Sequence, residues 1–429
     1  MSVPETSPPA LSDLDARFAR LREEYDHRRQ TAHALVRRWE WYSAEAYDLR
    51  PLWYERDLSR PGRRLAGRPP PDRDHHRIGF DSDGRPVVLE EYSGDLDGTL
   101  YYETFRDHLA GPGRVTAAHF RAGGEPIYLH EYRFEAERIG SATTVATRGG
   151  GCEEYGYTDD RVTRIVAYHA KRADKPDGRL RPLAPYQTIH ARYDDAGLSR
   201  LEVAWAGPAE PRTELRYERP PAGFTLDEAV ETVRRELVRQ VPAVLRAMAI
   251  DEPVYAVALG YLAADPIGVS VHVGFESDRY DWLVAQAEDE AEDDTFVLWN
   301  PCDLRGLAPV DFYEAAETAR LLRQELTLAD ADADADVDAD ADADVDADSD
   351  ADADSDVDGP ATSGVNERGR RLLCAAAAEL NTQDWAGIVP VSNDFVVYAA
   401  DWEMVDFERN LPECVPAAWL ALLRDRDLL

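Results

Sequence analysis

Between residues 77 and 218 the apolar positions of this chain recur at every second residue. A period of two puts successive side chains on opposite faces of an extended backbone, which commits the stretch to β-strands. Short aromatic and β-branched runs follow one another at 77–80, 86–92, 99–105, 115–120, 127–134, 155–157, 162–169, 188–193, 198–205 and 213–217. Turn residues cut them: Asp83-Gly84, Asp97-Gly98, Gly123-Gly124, Asp159-Asp160 and Asp194-Asp195-Ala196-Gly197. Runs joined by turns this tight pair with their sequence neighbours as antiparallel hairpins. The pattern predicts an antiparallel β-meander over 77–218. Alternation such as Leu201-Glu202-Val203-Ala204-Trp205 predicts one dry face and one wet one. The dry face needs cover from helices or from sheet curvature.

The second half reads differently. Arg219-Pro220-Pro221-Ala222-Gly223 ends the meander and sets a domain boundary. Thr225 opens a helix as a capping box with Glu228, and Leu226, Val230, Val233, Leu237, Val241, Leu245 and Met248 form its apolar stripe. Pro242 should bend it. Two apolar strands follow at 254–262 and 267–275, joined by Ala263-Ala264-Asp265-Pro266. The first has no polar face, so it belongs in the middle of a sheet with cover on both sides. Further expected elements are a helix over 278–292, a strand at 295–299, a helix over 310–328, a helix over 365–380, a strand at 394–400 and a closing helix at 415–423. Residues 225–429 therefore read as an α+β domain with a mainly antiparallel sheet. A disordered Asp/Ala insert interrupts it at 330–363.

At the other end, residues 1–10 are proline-rich, polar and expected to be disordered. Residues 11–56 read as a helical arm, because Leu14, Phe18, Leu21, Tyr25, Ala32, Leu35, Trp39 and Tyr42 step by threes and fours apart from a miss at Arg28. Such an arm packs on its own protein, or else dimerises or binds a partner. Residues 57–76 are a basic, proline-rich linker. Its His75-His76 pair points to opposite sides of an extended chain, so no metal site is predicted there.

The formal charge is −36. Fifteen aspartates and no base stand between Asp330 and Asp358, which leaves −21 for the rest. An acidic surface of this size repels nucleic acid and anionic lipid and favours basic partners, or else serves solubility or reflects a salt-adapted or high-GC proteome. No apolar run approaches the roughly 20 residues that span a bilayer. The N-terminus lacks the basic start and apolar core of a secretory signal. Cys152, Cys302, Cys374 and Cys414 are too scattered for a zinc knuckle or a disulfide framework, so a cytoplasmic location is expected.

Signatures of phosphate cradles, dinucleotide folds, serine-hydrolase elbows and zinc helices are missing. Gly149-Gly150-Gly151 opens no helix. Cys152 would need His169 or His130 to act as a nucleophile, and otherwise is an idle buried thiol. Asp354-Ser355-Asp356-Val357-Asp358-Gly359 matches half a calcium loop, but Val365 stands where the bidentate acid belongs. No catalytic residue, cofactor or metal is predicted.

Three turns share a form: Phe80-Asp81-Ser82-Asp83-Gly84, Tyr157-Thr158-Asp159-Asp160 and Tyr193-Asp194-Asp195-Ala196-Gly197. They resemble the tyrosine–aspartate repeats of bacterial Rhs-type proteins, although the second lacks the glycine. Hairpins in general also favour such turns. The run Val254-Tyr255-Ala256-Val257-Ala258-Leu259-Gly260-Tyr261, the run Phe296-Val297-Leu298-Trp299-Asn300-Pro301, and Phe395-Val396-Val397-Tyr398-Ala399-Ala400-Asp401-Trp402-Glu403 carry a second likeness. Together they resemble a bacterial domain of unknown function found among the immunity-type proteins of polymorphic toxin systems. The resemblance covers 225–429 outside the insert. It implies a cytoplasmic protein that binds and neutralises a toxin, with no catalytic residues.

The leading expectation is a non-enzymatic binding protein for a basic partner. Glu288, Asp289, Glu290, Glu292, Asp293 and Asp294 would steer the encounter, and Trp282 or Trp402 would anchor it. The competing expectation for both tryptophans is core packing. An enzyme with a site between two domains, and a structural or accessory protein, are the alternatives.

Overall fold

The computed structural model describes residues 11–111, 113–173, 180–206, 212–262, 265–288, 295–336, 364–426 and 428–429. The protein is α+β and divides after Arg219 into two compact units.

The first unit opens with α1 (Ser12–Phe18), α2 (Leu21–Leu35), β1 (Arg38–Tyr42), α3 (Trp53–Asp57) and β2 (Arg64–Leu65). Eleven further strands follow: β3 (His75–Phe80), β4 (Pro86–Ser93), β5 (Thr99–Asp107), β6 (Arg114–Arg121), β7 (Glu125–Glu135), β8 (Arg138–Ala146), β9 (Gly149–Thr158), β10 (Arg161–Lys171), β11 (Ala184–Asp194), β12 (Gly197–Trp205) and β13 (Arg212–Glu218). They form one 13-stranded sheet in which β3 to β13 lie side by side in chain order, with β1 and then β2 beyond β3. Every pairing is antiparallel, as hairpin connections demand.

The expected helical arm is corrected here. The helix stops at Leu35, and Val36 is already extended. Trp39 and Tyr42 lie on β1, paired to Gly79 and His76. Their spacing of three suits one helix face, but on a strand it sends them to opposite faces, and they join different apolar clusters. The 57–76 linker is corrected too: it contains β2 and the first two residues of β3. Strand β8, RIGSATTVA, was not expected, because its glycine, serine and small residues blur the period of two.

Cover differs from the one-dry-face expectation. Leu14, Phe18 and Leu21 of α1 and α2 pack on Val88, Phe105, Ala118, Phe120, Leu129 and Val145 on one face. The opposite face buries Tyr132, Ile165, Ile189, Leu201 and Val203, with Leu49 and Leu52 packed against them. The aromatic–aspartate turns have a shared device. The Tyr157 hydroxyl donates to the Ile139 carbonyl and the Tyr193 hydroxyl to the Val162 carbonyl, both at 2.9 Å. Arg138 and Arg161 lie over the same two rings, and Arg38 lies over Phe80. Each aromatic ring thereby ties its turn to the neighbouring hairpin, which fixes register.

The second unit comprises α4 (Leu226–Ala247), β14 (Val254–Leu262), β15 (Asp265–Phe275), α5 (Glu276–Glu288), β16 (Gly306–Pro309), α6 (Ala316–Asp336), α7 (Gly364–Leu380), β17 (Val391–Asp401), α8 (Phe407–Cys414) and α9 (Ala417–Arg424). The Thr225 hydroxyl caps α4 by accepting the Glu228 amide. The sheet order is β16-β15-β14-β17, so β14 is interior as its apolar faces require. Strands β14 and β15 form the expected hairpin. The pairing of β14 with β17 is parallel, with Ala256, Ala258 and Gly260 beside Val396, Tyr398 and Ala400. Two of the three pairings are antiparallel, so the sheet is mainly antiparallel, and β17 makes it mixed.

Residues 295–299 are not a strand. Thr295–Leu298 is a 3-10 turn, and the third strand is the four-residue β16. The Tyr255 hydroxyl donates to the Leu298 carbonyl at 2.6 Å and the Tyr398 hydroxyl to that of Trp299 at 2.5 Å, using groups a ladder would have paired. The expected 310–328 helix starts at Ala316 instead and runs to Asp336, through the first part of the Asp/Ala tract. Residues 337–363 of that tract lie outside the described residues. The outer edge of β17 is blunted by amide side chains: Asn381 pairs with both the amide and the carbonyl of Val397, and Asn410 donates to the Ala399 carbonyl.

Candidate functional site

Helix α5 carries the strongest surface feature of the second unit. Its inner side holds Arg279, which is buried, and Trp282, which packs partly buried against the core. Arg279 donates to both oxygens of Asp394 at 3.1 Å, and Asp394 also accepts from Arg426 at 2.7 Å and Ser392 at 2.6 Å. These bonds fix the roll of the helix. A helix so fixed turns Tyr280, Leu283 and Val284 outward at spacings of three and four, and they are 67%, 42% and 40% exposed. Glu276, Asp278 and Asp281 border the stripe, and Glu288-Asp289-Glu290-Ala291-Glu292-Asp293-Asp294 follows it in sequence.

The expected anchors divide. Trp282 is mainly a packing residue. Trp402 is 41% exposed, with its ring edge-on to His272 at 6.1 Å. Glu288 ends α5, and Asp289, Glu290, Glu292, Asp293 and Asp294 lie outside the described residues. Tyr280, Leu283 and Val284 form the exposed stripe that a reading of α5 for its faces could have separated from Trp282. Without Arg279's partner Asp394, far along the chain, the sequence leaves that roll undefined.

The nucleophile candidates do not assemble. Cys152 is buried and takes a hydrogen bond from Thr143 at 3.7 Å, and burial pushes its thiol up to about 11. His130 bonds Thr144 at 2.6 Å, and His169 stands beside Gly151 in the ladder. A different pair meets in the second unit: Ser270 Oγ lies 2.7 Å from His272 Nε2. That is nucleophile–base geometry. Yet both residues are buried, and a Cβ on Gly260 would sit 2.6 Å from the same imidazole nitrogen. Backbone closes over the pair, so it serves to satisfy two buried polar groups. All four cysteines are free.

The first unit buries charge between its helices and its sheet. Arg17 on α1 bonds Glu131 at 2.9 Å. On α2, Tyr25 donates to Glu103 Oε2 at 2.5 Å and Arg29 to Glu103 Oε1 at 2.9 Å. Tyr92 donates to Glu90 at 2.9 Å. On the opposite face Tyr102, His119, Tyr128, His130 and Tyr132 form a continuous row of rings, with His119 stacked on Tyr128 at 4.3 Å. Burial pushes His119 down to about 4 and His130 down to about 3, so both stay neutral near pH 7.

No protein-family model matches this chain, and no curated protein matches it. Among the described residues no helix is long and apolar enough to cross a membrane.

Proposed function

We propose that this protein is a non-enzymatic binding protein whose second unit docks a basic protein partner on helix α5. The observation that carries this reading is the stripe of Tyr280, Leu283 and Val284. Each would lose little by turning inward on a freely rolling helix, but the Arg279–Asp394 bonds hold all three in solvent. An apolar stripe with an acidic border suits an amphipathic basic surface, where charge speeds encounter and aromatic area gives affinity. The net charge of −36 acts in the same direction. Neutralisation of a basic toxin, the immunity-type role, is the form of this function that the charge balance supports best, in the cytoplasm where such partners act. Trp402 serves as a second contact point.

The test is affinity capture at low salt with the wild-type chain and with a Tyr280→Ser, Leu283→Ser, Val284→Ser variant. Exposed positions of this kind alter stability by less than about 0.5 kcal/mol each, so the variant should stay folded. The expected result is a basic protein retained by the wild type, released by salt and lost with the variant. Equal retention by both chains would contradict the assignment to α5.

A further inference from the structure

Helix α2 presents Tyr25, Arg29 and His33 one turn apart to β5, with His33 also facing β4, and the Nε2 of the third has no hydrogen-bond partner. His33 Nε2 is buried and makes no hydrogen bond. It lies 3.9 Å from Glu90 Oε1 and 4.0 Å from Glu103 Oε1, too far to donate to either. The ring is held between Trp39, at 5.5 Å, and Phe105, at 6.3 Å, so it cannot simply turn to a better acceptor. Two buried carboxylates thus face an orphaned imidazole nitrogen.

One arrangement satisfies all three groups. Their donor atoms lie within 4.8 Å of one another. Ligands bound at about 2.0–2.3 Å around a single ion stand roughly 3–4.5 Å apart. We propose that His33, Glu90 and Glu103 bind a divalent transition-metal ion such as Zn2+, with one imidazole and two carboxylates as its protein ligands.

The surrounding bonds have the form of an outer shell. Tyr25 orients Glu103 through Oε2, and Tyr92 orients Glu90, as ligating carboxylates require, whereas Arg29 competes for the Oε1 that faces His33. Each carboxylate oxygen has two lone pairs, so Glu103 Oε1 can accept from Arg29 and still ligate. Arg29 and Arg77, the latter 3.5 Å from Glu90, place positive charge beside the site. That charge selects against ions held by charge alone, such as Mg2+ and Ca2+, and favours an ion that forms strong bonds to imidazole. The His33 side chain is 30% exposed, although its Nε2 is buried against the two carboxylates.

The experiment is equilibrium dialysis of the full chain against Zn2+ in excess Mg2+, which occupies the aspartate tract, with bound metal counted by mass spectrometry. Substituting Co2+ for Zn2+ adds a visible absorption band as a second readout. The wild type should hold one equivalent. His33→Ala should weaken binding about tenfold or more. Arg29→Met, which removes a competing charge, should tighten it. Both positions are partly exposed, and circular dichroism checks the fold of each variant. If His33→Ala does not fold, the Arg29→Met result decides. Zn2+ binding that is absent from the wild type, unchanged in His33→Ala, or not strengthened in Arg29→Met would overturn the site.

Discussion

In the first sheet β3 to β13 each meet the strand next to them in sequence, whereas in the second β14 meets β17 only after α5, α6 and α7 have intervened. The interiors differ as well. The first sheet buries Glu90, Glu103, Glu131 and Arg106 beneath or beside its covering segments. The second is filled by Val257, Leu259, Val271, Val397 and Trp299, and its buried arginines among the described residues are Arg279, paired with Asp394, and Arg370, which bonds Glu367, Glu413 and Asn410. A meander needs little long-range specification, because each hairpin finds its own partner. Its danger is register slip, and charged contacts from Arg17, Arg29 and the ring-capped turns counter that. A sheet closed by a distant parallel strand needs a large apolar reward to offset loop closure, and it supplies one.

The largest expected effect sharpens this contrast. Asp394→Ala strips the buried Arg279 of its buried carboxylate, leaving Glu276 alone beside it, and should cost about 3–5 kcal/mol in urea unfolding. Trp299→Ala empties the space between Tyr255, Tyr398 and Phe407 and should cost a similar ~3–5 kcal/mol. Glu103→Gln in the first unit should cost less, about 1–3 kcal/mol, since Arg29 is 45% exposed and can turn to water. If Glu103→Gln proved as damaging as Asp394→Ala, the distinction between the two interiors would fail.

Acid probes the first unit next. The folded-state values of His119 and His130 are depressed below the unfolded one, so their stabilisation is complete above pH 6.5. It is lost as pH falls, down to about 4 for His119 and about 3 for His130. At pH 5 the loss should be ~2 kcal/mol per histidine, read as a stability gap between wild type and His119→Gln that narrows from pH 7 to pH 5.

The smallest effect has the opposite sign. Burial, with Asp74 and Glu45 nearby, pushes Glu91 up to about 7. The folded state therefore holds this proton more tightly than the unfolded one. That contribution is complete below about pH 4.5 and lost as pH rises through 7. Glu91→Gln should raise the unfolding temperature at pH 8 and change it less at pH 5, by differential scanning fluorimetry.

Much of the architecture was legible because it is written locally. Asp-Gly turns mark the hairpins, Thr225 and Glu228 mark a helix start, and the unbroken apolar run of β14 marks an interior strand. What could not be read depends on tertiary partners. Trp39 fits a helix stripe until Gly79 pairs with it. Residues 295–299 have the composition of a strand, and only the hydroxyls of Tyr255 and Tyr398 show why they coil. The α5 stripe is invisible until Asp394 fixes the helix roll. The trio of His33, Glu90 and Glu103 is spread over one helix and two strands with no spacing rule to announce it.

Native-state hydrogen exchange in increasing denaturant tests most directly whether the second unit is one cooperative body closed by β17. The peptides covering Val254–Leu262 and Val391–Asp401 should lose protection together, at one free energy, and Asp394→Ala should lower both equally while leaving β6 and β7 unchanged. Exchange of Val391–Asp401 well before Val254–Leu262 would show that the parallel pairing does not hold this unit together.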